Sequence, residues 1–331
     1  MTALGSSRAG EVSGETAVPF HRLARTSPRY RWWRPLVVGV VAAVFFVVLS
    51  LIATVPIAVI AFTSPTEFPA VVDILKSGTI DLNDPIVFAY SLASIALMLP
   101  SIWLATLLLG SRPVGLLSSV AARIRWRWLL RCAGIALAVY AVVFGFSFLV
   151  FDPLLGAAPL SPAVTTSTAL LVVLALIVTP LQATAEEYVF RGYLMQTVGG
   201  WLKHPAWAIL LPVPLFAIGH DYDLWGLADV AVFAIAAGWL TWRTGGLEAA
   251  IAAHVVNNTL LFILGAFGLV DLNAKGGSPA AIAVTLITMG SYAALVVWQA
   301  KRSSLVTRRQ ESAPVWASAP PPSVASPSLG V

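Results

Sequence analysis

From Pro35 to Ala300 the sequence is a succession of long apolar runs separated by short polar loops. Runs of about twenty apolar residues are long enough to cross the hydrocarbon of a bilayer as helices. Composition supports this reading: 58% of the 331 residues are hydrophobic and 11% are charged, against about 25% charged in soluble domains. The expected fold is all-α, a polytopic membrane protein of about eight transmembrane helices. The spans are expected near 35–62, 86–110, 129–151, 166–195, 205–220, 225–242, 247–267 and 279–300.

The net charge of +5 matters less than its distribution. Sixteen Lys and Arg lie before the first span, in loop 111–128, in links 199–204 and 243–246, and after residue 300. The alternate loops hold two, Lys76 and Lys275. That asymmetry reads as membrane topology rather than a nucleic-acid surface, and it predicts a multi-pass protein of the cell membrane with both termini cytoplasmic. The N-terminus lacks the pattern of a cleavable signal peptide. The single cysteine, Cys132, excludes an intrachain disulfide.

Five regions are expected. Residues 1–33 form a flexible basic N-terminus and 34–165 carry spans one to three. Residues 166–267 hold the functional core, 268–302 the last span, and 303–331 a disordered tail rich in Pro, Ala and Ser. No internal repeat of the transporter kind is visible.

Within the core, Glu186, Glu187 and Arg191 follow the apolar run Leu170–Ala185. A charge at the centre of a bilayer costs about 2.5–3.5 kcal/mol on insertion scales, so three within six residues point to a site. Glu187 and Arg191 are spaced i,i+4 and share a helix face. Glu186 lies about 100° away around the helix and is free for another task. Two histidines also fall inside the membrane: His220, one turn after Phe216, and His254, one turn before Asn258. A carboxylate beside a histidine can deprotonate water. A histidine and an asparagine on one face can donate to an oxygen developing negative charge. Such a set can hydrolyse an amide without a Ser or Cys nucleophile.

The bland readings are an interfacial acidic pair, a snorkelling arginine, a loop histidine and an interhelical hydrogen bond. Each competes well against one motif and poorly against three in order. Asn257 is excluded by helical phase. Asp221 and Asp223 read as loop charges. Tyr222-Asp223 and Gly226-Leu227-Ala228-Asp229 lie too close together to supply facing aspartates from two spans.

Glu186-Glu187-x-x-x-Arg191, Phe216-x-x-x-His220 and His254-x-x-x-Asn258 together resemble the CAAX-processing intramembrane endopeptidase family, also described as Abi or bacteriocin-processing proteins. The likeness extends to Phe190-Arg191-Gly192-Tyr193 and Arg243-Thr244-Gly245-Gly246-Leu247, and covers about residues 166–264. It implies a protease acting on a membrane-embedded or lipidated peptide substrate. Glu186 would activate water with help from His220, and His254 and Asn258 would stabilise the oxyanion. Glu187 and Arg191 would support span four. The resemblance leaves open a metalloprotease with zinc on Glu186, His220 and His254, or a metal-free glutamate protease. The usual His-Glu-x-x-His zinc motif is absent. It also permits a non-catalytic membrane scaffold or bacteriocin-immunity-type binding protein. Substrate is expected to enter laterally or from the cytoplasmic side.

Depth is the difficulty. Straight spans would place His220 toward the outer face and Glu186 and His254 toward the inner half. Span five must therefore be short, tilted or re-entrant, and Pro205, Pro212 and Pro214 supply the means to break it.

Overall fold

The computed structural model describes residues 16–154, 156 and 160–311. Among them are seven helices long and apolar enough to cross a membrane. These are α1 (Arg34–Thr63), α2 (Pro85–Leu109), α3 (Trp126–Phe151), α4 (Thr168–Trp201), α6 (Leu224–Thr244), α7 (Glu248–Ala266) and α8 (Pro279–Arg302). The segment expected as span five is the shorter α5, Pro205–Ala217. It breaks at Leu211 into Pro205–Leu210 and Pro212–Ala217. Pro212 and Pro214 have no backbone N–H to continue an α-helical ladder.

The chain nevertheless passes the bundle eight times. At one end, the β-strands Thr16–Pro19 and Arg308–Glu311 pair antiparallel. The α2–α3 loop bonds the α6–α7 turn there, through Val120 N–H to Gly245 O and Leu247 N–H to Ser118 O, both 2.9 Å. At the other end, Asn273 Oδ1 accepts from Leu82 N at 2.9 Å, and Asp223 N donates to Lys275 O at 2.8 Å. Ala163 N donates to Phe267 O nearby, also at 2.8 Å. Alternate connections therefore share an end, and the basic loops share the end that holds both strands.

The short α5 resolves the problem of depth. It starts at the basic end, and a helix of its length rises about 20 Å, less than the roughly 30 Å of bilayer hydrocarbon. Phe216 and His220 therefore stop partway through the bundle, and residues 218–223 carry the chain on to the acidic end.

Local chemistry sets the helix starts. Asp84 accepts from Ile86 and Val87 N–H, Asp223 from Gly226 N–H, and Ser278 from Ala281 N–H. At the centre, Ala249, Ala250, Ala252 and Ala253 are buried on α7. Their small size lets α7 pack closely against α3 and α4. The outward faces remain apolar and exposed, as at Val40, Leu51, Val142 and Leu170, which suits lipid contact.

From Thr16 the N-terminal segment is folded, unlike the expected flexible arm. Its 3₁₀ helix, Phe20–Thr26, buries Phe20 and Leu23 completely. Arg22 and Arg25 donate to the carbonyls of Gly199 and Gly200 at 3.1 and 2.8 Å. The His21 carbonyl lies where a Cβ on Gly199 would stand, so only glycine permits this approach. Arg308–Glu311 likewise belongs to the two-stranded sheet. The expectations for 1–15 and 312–331 lie outside the described residues.

Candidate active site

Glu186 and Glu187 end the first α-helical stretch of α4, and residues Tyr188–Leu194 then widen into a π-helical turn before the α-helix resumes at Met195. Such turns shift the register of the face that follows and often occur at functional sites. Across this turn Arg191 Nη1 donates to Glu187 Oε1 at 2.8 Å. Both are buried, Glu187 completely.

His254 arrives from α7 and reaches the same oxygen. Its Nδ1 lies 2.8 Å from Glu187 Oε1. A carboxylate paired with Arg191 accepts and does not donate, so Nδ1 carries the proton. The other ring nitrogen, Nε2, faces Glu186 Oε2 at 3.5 Å. Glu187 thus has a second task that spacing did not reveal: it fixes the ring that meets Glu186. Phe233 supports that ring from the side, with centroids 5.1 Å apart.

His220 is positioned by its own turn. Its Nδ1 lies 2.9 Å from Phe216 O. A carbonyl can only accept, so Nδ1 donates and Nε2 is the ring's open nitrogen. The ring packs on Phe216 at 5.0 Å and nearly parallel to Tyr222 at 5.8 Å. Phe216 also lies under the Arg191 guanidinium, 4.3 Å from Cζ to the ring centroid. Among the described residues no hydrogen bond or ion pair joins His220 to Glu186. The histidine paired with Glu186 is His254.

Asn258 Nδ2 donates to Gln182 Oε1 across a long 3.4 Å, and Asn258 Oδ1 receives Asn257 Nδ2 at 3.0 Å. Glu186, His220, His254 and Asn258 all line one open cavity of about 420 Å³. So do Gln182, Asn257, Tyr222 and Asp229, which the sequence reading did not select. Gln182 was accessible to the spacing argument, since it precedes Glu186 by one turn. Asn257 was excluded by phase, but the cavity is wide enough to admit both neighbouring faces of α7. Nothing local distinguishes Asp229. Burial, then the nearby Asp229 and Glu186 carboxylates, raise the Tyr222 hydroxyl above its ordinary range and keep it a hydrogen-bond donor.

The cavity reaches the acidic end of the bundle. Its wall includes Ile80, Leu82, Asp271 and Ala274 from loops there, and no residue from the basic loops 111–128, 199–204 or 243–246. The cavity is therefore lined toward the end opposite the basic loops, away from the cytoplasmic-side entry that was one of the two expected routes, lateral entry being the other.

Zinc does not fit the three expected ligands as placed. Among the described residues no group of three His, Cys, Asp or Glu side chains is arranged to hold a metal ion. The bonds of His254 to Glu187 and of His220 to Phe216 O engage only Nδ1 and leave each Nε2 open, so what is missing is the close grouping of three donors, not the orientation of the rings.

Residues 165–260 match the family described as type II CAAX prenyl endopeptidase Rce1-like. The match covers all three motifs and agrees with the resemblance they carry. The chain is also 25% identical over 253 residues to YyaK of Bacillus subtilis strain 168, described as uncharacterised, covering 73% of this chain and 82% of that protein. No solved structure matches.

Proposed function

With residues 165–260 as a type II CAAX prenyl endopeptidase Rce1-like domain, we propose that this protein is an intramembrane endopeptidase cleaving a membrane-embedded or lipid-anchored substrate. The observation that carries the reading is Glu186. It is only 7% exposed, lines the cavity, and its Oε2 accepts no hydrogen bond from the protein. An acceptor left open in a buried place is costly unless it has a task.

Glu186 takes a proton from a water in the cavity, and the resulting hydroxide attacks the scissile carbonyl carbon. His254, held by Glu187 through Nδ1–H, turns its Nε2 lone pair toward Glu186 and shares the proton once the carboxylate has taken it up. The oxyanion is stabilised by Asn258 Nδ2, whose 3.4 Å bond to Gln182 is weak enough to exchange for a substrate oxygen. The proton on the Glu186–His254 pair then passes to the leaving amine as the C–N bond breaks. One water is consumed, and a carboxylic acid and an amine are released. His220 Nε2 faces the same space and completes the polar wall against which water is held. In this reading the basic end, with both strands, faces the cytoplasm, an orientation supported by the positive-inside pattern.

The test compares peptide termini of the membrane proteome in cells carrying the wild type or Glu186→Gln at matched abundance. Termini that vanish in the variant identify substrates. A variant that retains every terminus and the wild-type phenotype would favour a binding scaffold instead.

A further inference from the structure

The ionisable side chains of the cavity are unbalanced in sign. Its carboxylates are Glu186, Asp229 and Asp271, and no Lys or Arg lines it. The surrounding loops add Glu67, Asp73, Asp81, Asp84, Asp221 and Asp223, opposed by Lys76 and Lys275. Lys275 is already paired with Asp221. A cleft with low-dielectric walls and one sign of charge concentrates ligands of the other sign.

Asp229 makes this specific. It projects from α6 into the cavity wall beside Tyr140 and within reach of the Thr285 hydroxyl. Its Oδ1 is shielded from solvent and has no hydrogen-bond partner among the described residues. No cation lies within ion-pair distance of it there. The chemistry above does not use it. A buried carboxylate oxygen without a donor carries a desolvation cost that an incoming cation would offset.

We infer that the segment entering this cavity is cationic and that Asp229 receives a Lys or Arg side chain flanking the bond to be cleaved. Placing that side chain next to a scissile bond rests on the hydrolase reading. The charge preference for binding does not.

The experiment separates the two. Full-length Glu186→Gln protein in nanodiscs is titrated with a fluorescent apolar peptide carrying one central Lys, and with its Gln and Glu counterparts. The Lys peptide is expected to bind about tenfold or more tighter than the Gln peptide, in the range of one charged hydrogen bond. Adding Asp229→Asn should bring the two within about twofold, and Asp229→Glu should restore the preference. Equal binding of Lys and Gln peptides, or a preference that survives Asp229→Asn, would overturn the inference. The same peptides are then offered to the protein with Glu186 intact. A Lys preference in binding without cleavage would sink the hydrolase reading and leave this one standing. Cleavage indifferent to charge would do the reverse.

Discussion

His254 and Glu187, on α7 and α4, are joined by a 2.8 Å bond from Nδ1 to Oε1. That oxygen also receives Arg191 at 2.8 Å. Glu187 is therefore the buried post on which the histidine is oriented, and the adjacent Glu186, which Arg191 does not reach, lines the cavity. Two neighbouring carboxylates acquire different roles because one has the cation and the other has the space.

Replacing these glutamates should separate stability from activity. Glu187→Gln leaves the Arg191 charge buried without its counter-ion and should destabilise the protein by about 3 kcal/mol, read as a loss of thermal stability in detergent. Glu186→Gln should leave the unfolding temperature near wild type while abolishing cleavage. Equal destabilisation by both would refute the division of roles.

Asn258→Ala should lower kcat by about a hundredfold or more with little change in KM, the pattern of a donor used in the transition state. Gln182→Leu removes only the acceptor that holds Asn258 and should have a smaller effect. A larger effect from Gln182→Leu would make Gln182 the donor instead.

The N-terminal cap should loosen in mild acid. Burial, reinforced by the positive charges of Arg22, Arg308 and His204, holds His21 below 6.5, although its bond to Lys203 O opposes the shift. In the window between the folded and unfolded values, the unfolded state binds more protons. The contribution is thus present above about pH 6.5 and is lost as pH falls from there through the folded value. Hydrogen exchange of Phe20–Thr26 should accelerate from pH 7 to 5, and His21→Gln should flatten that dependence. An unchanged slope in the variant would assign it to other groups.

Topology can be checked with single cysteines in a Cys132→Ala background. Val306→Cys should react with an impermeant thiol reagent from the cytoplasmic face, and Ala274→Cys from the opposite face. Labelling of both from one face would contradict eight passes.

The sequence by itself determined the membrane class, the apolar segments and the three motifs, because these rest on run length and on i,i+4 spacing within one helix. The same local spacing made the Glu187–Arg191 pair legible. It could not show that His254, 67 residues beyond Glu187, shares the oxygen that binds Arg191, since that depends on how α7 packs against α4. Nor could hydropathy show how far α5 reaches. Its prolines foretold a break, but the depth of His220 follows from where the short helix starts. The folded segment beginning at Thr16 was hidden by its polarity, because its order comes from docking on Gly199 and Gly200 rather than from its own propensity. The cavity's opening toward the acidic end, and the place of Asp229 within it, were decided by tertiary packing alone. They arise from side chains on α2 to α8 that are distant in sequence and adjacent only once the bundle has closed.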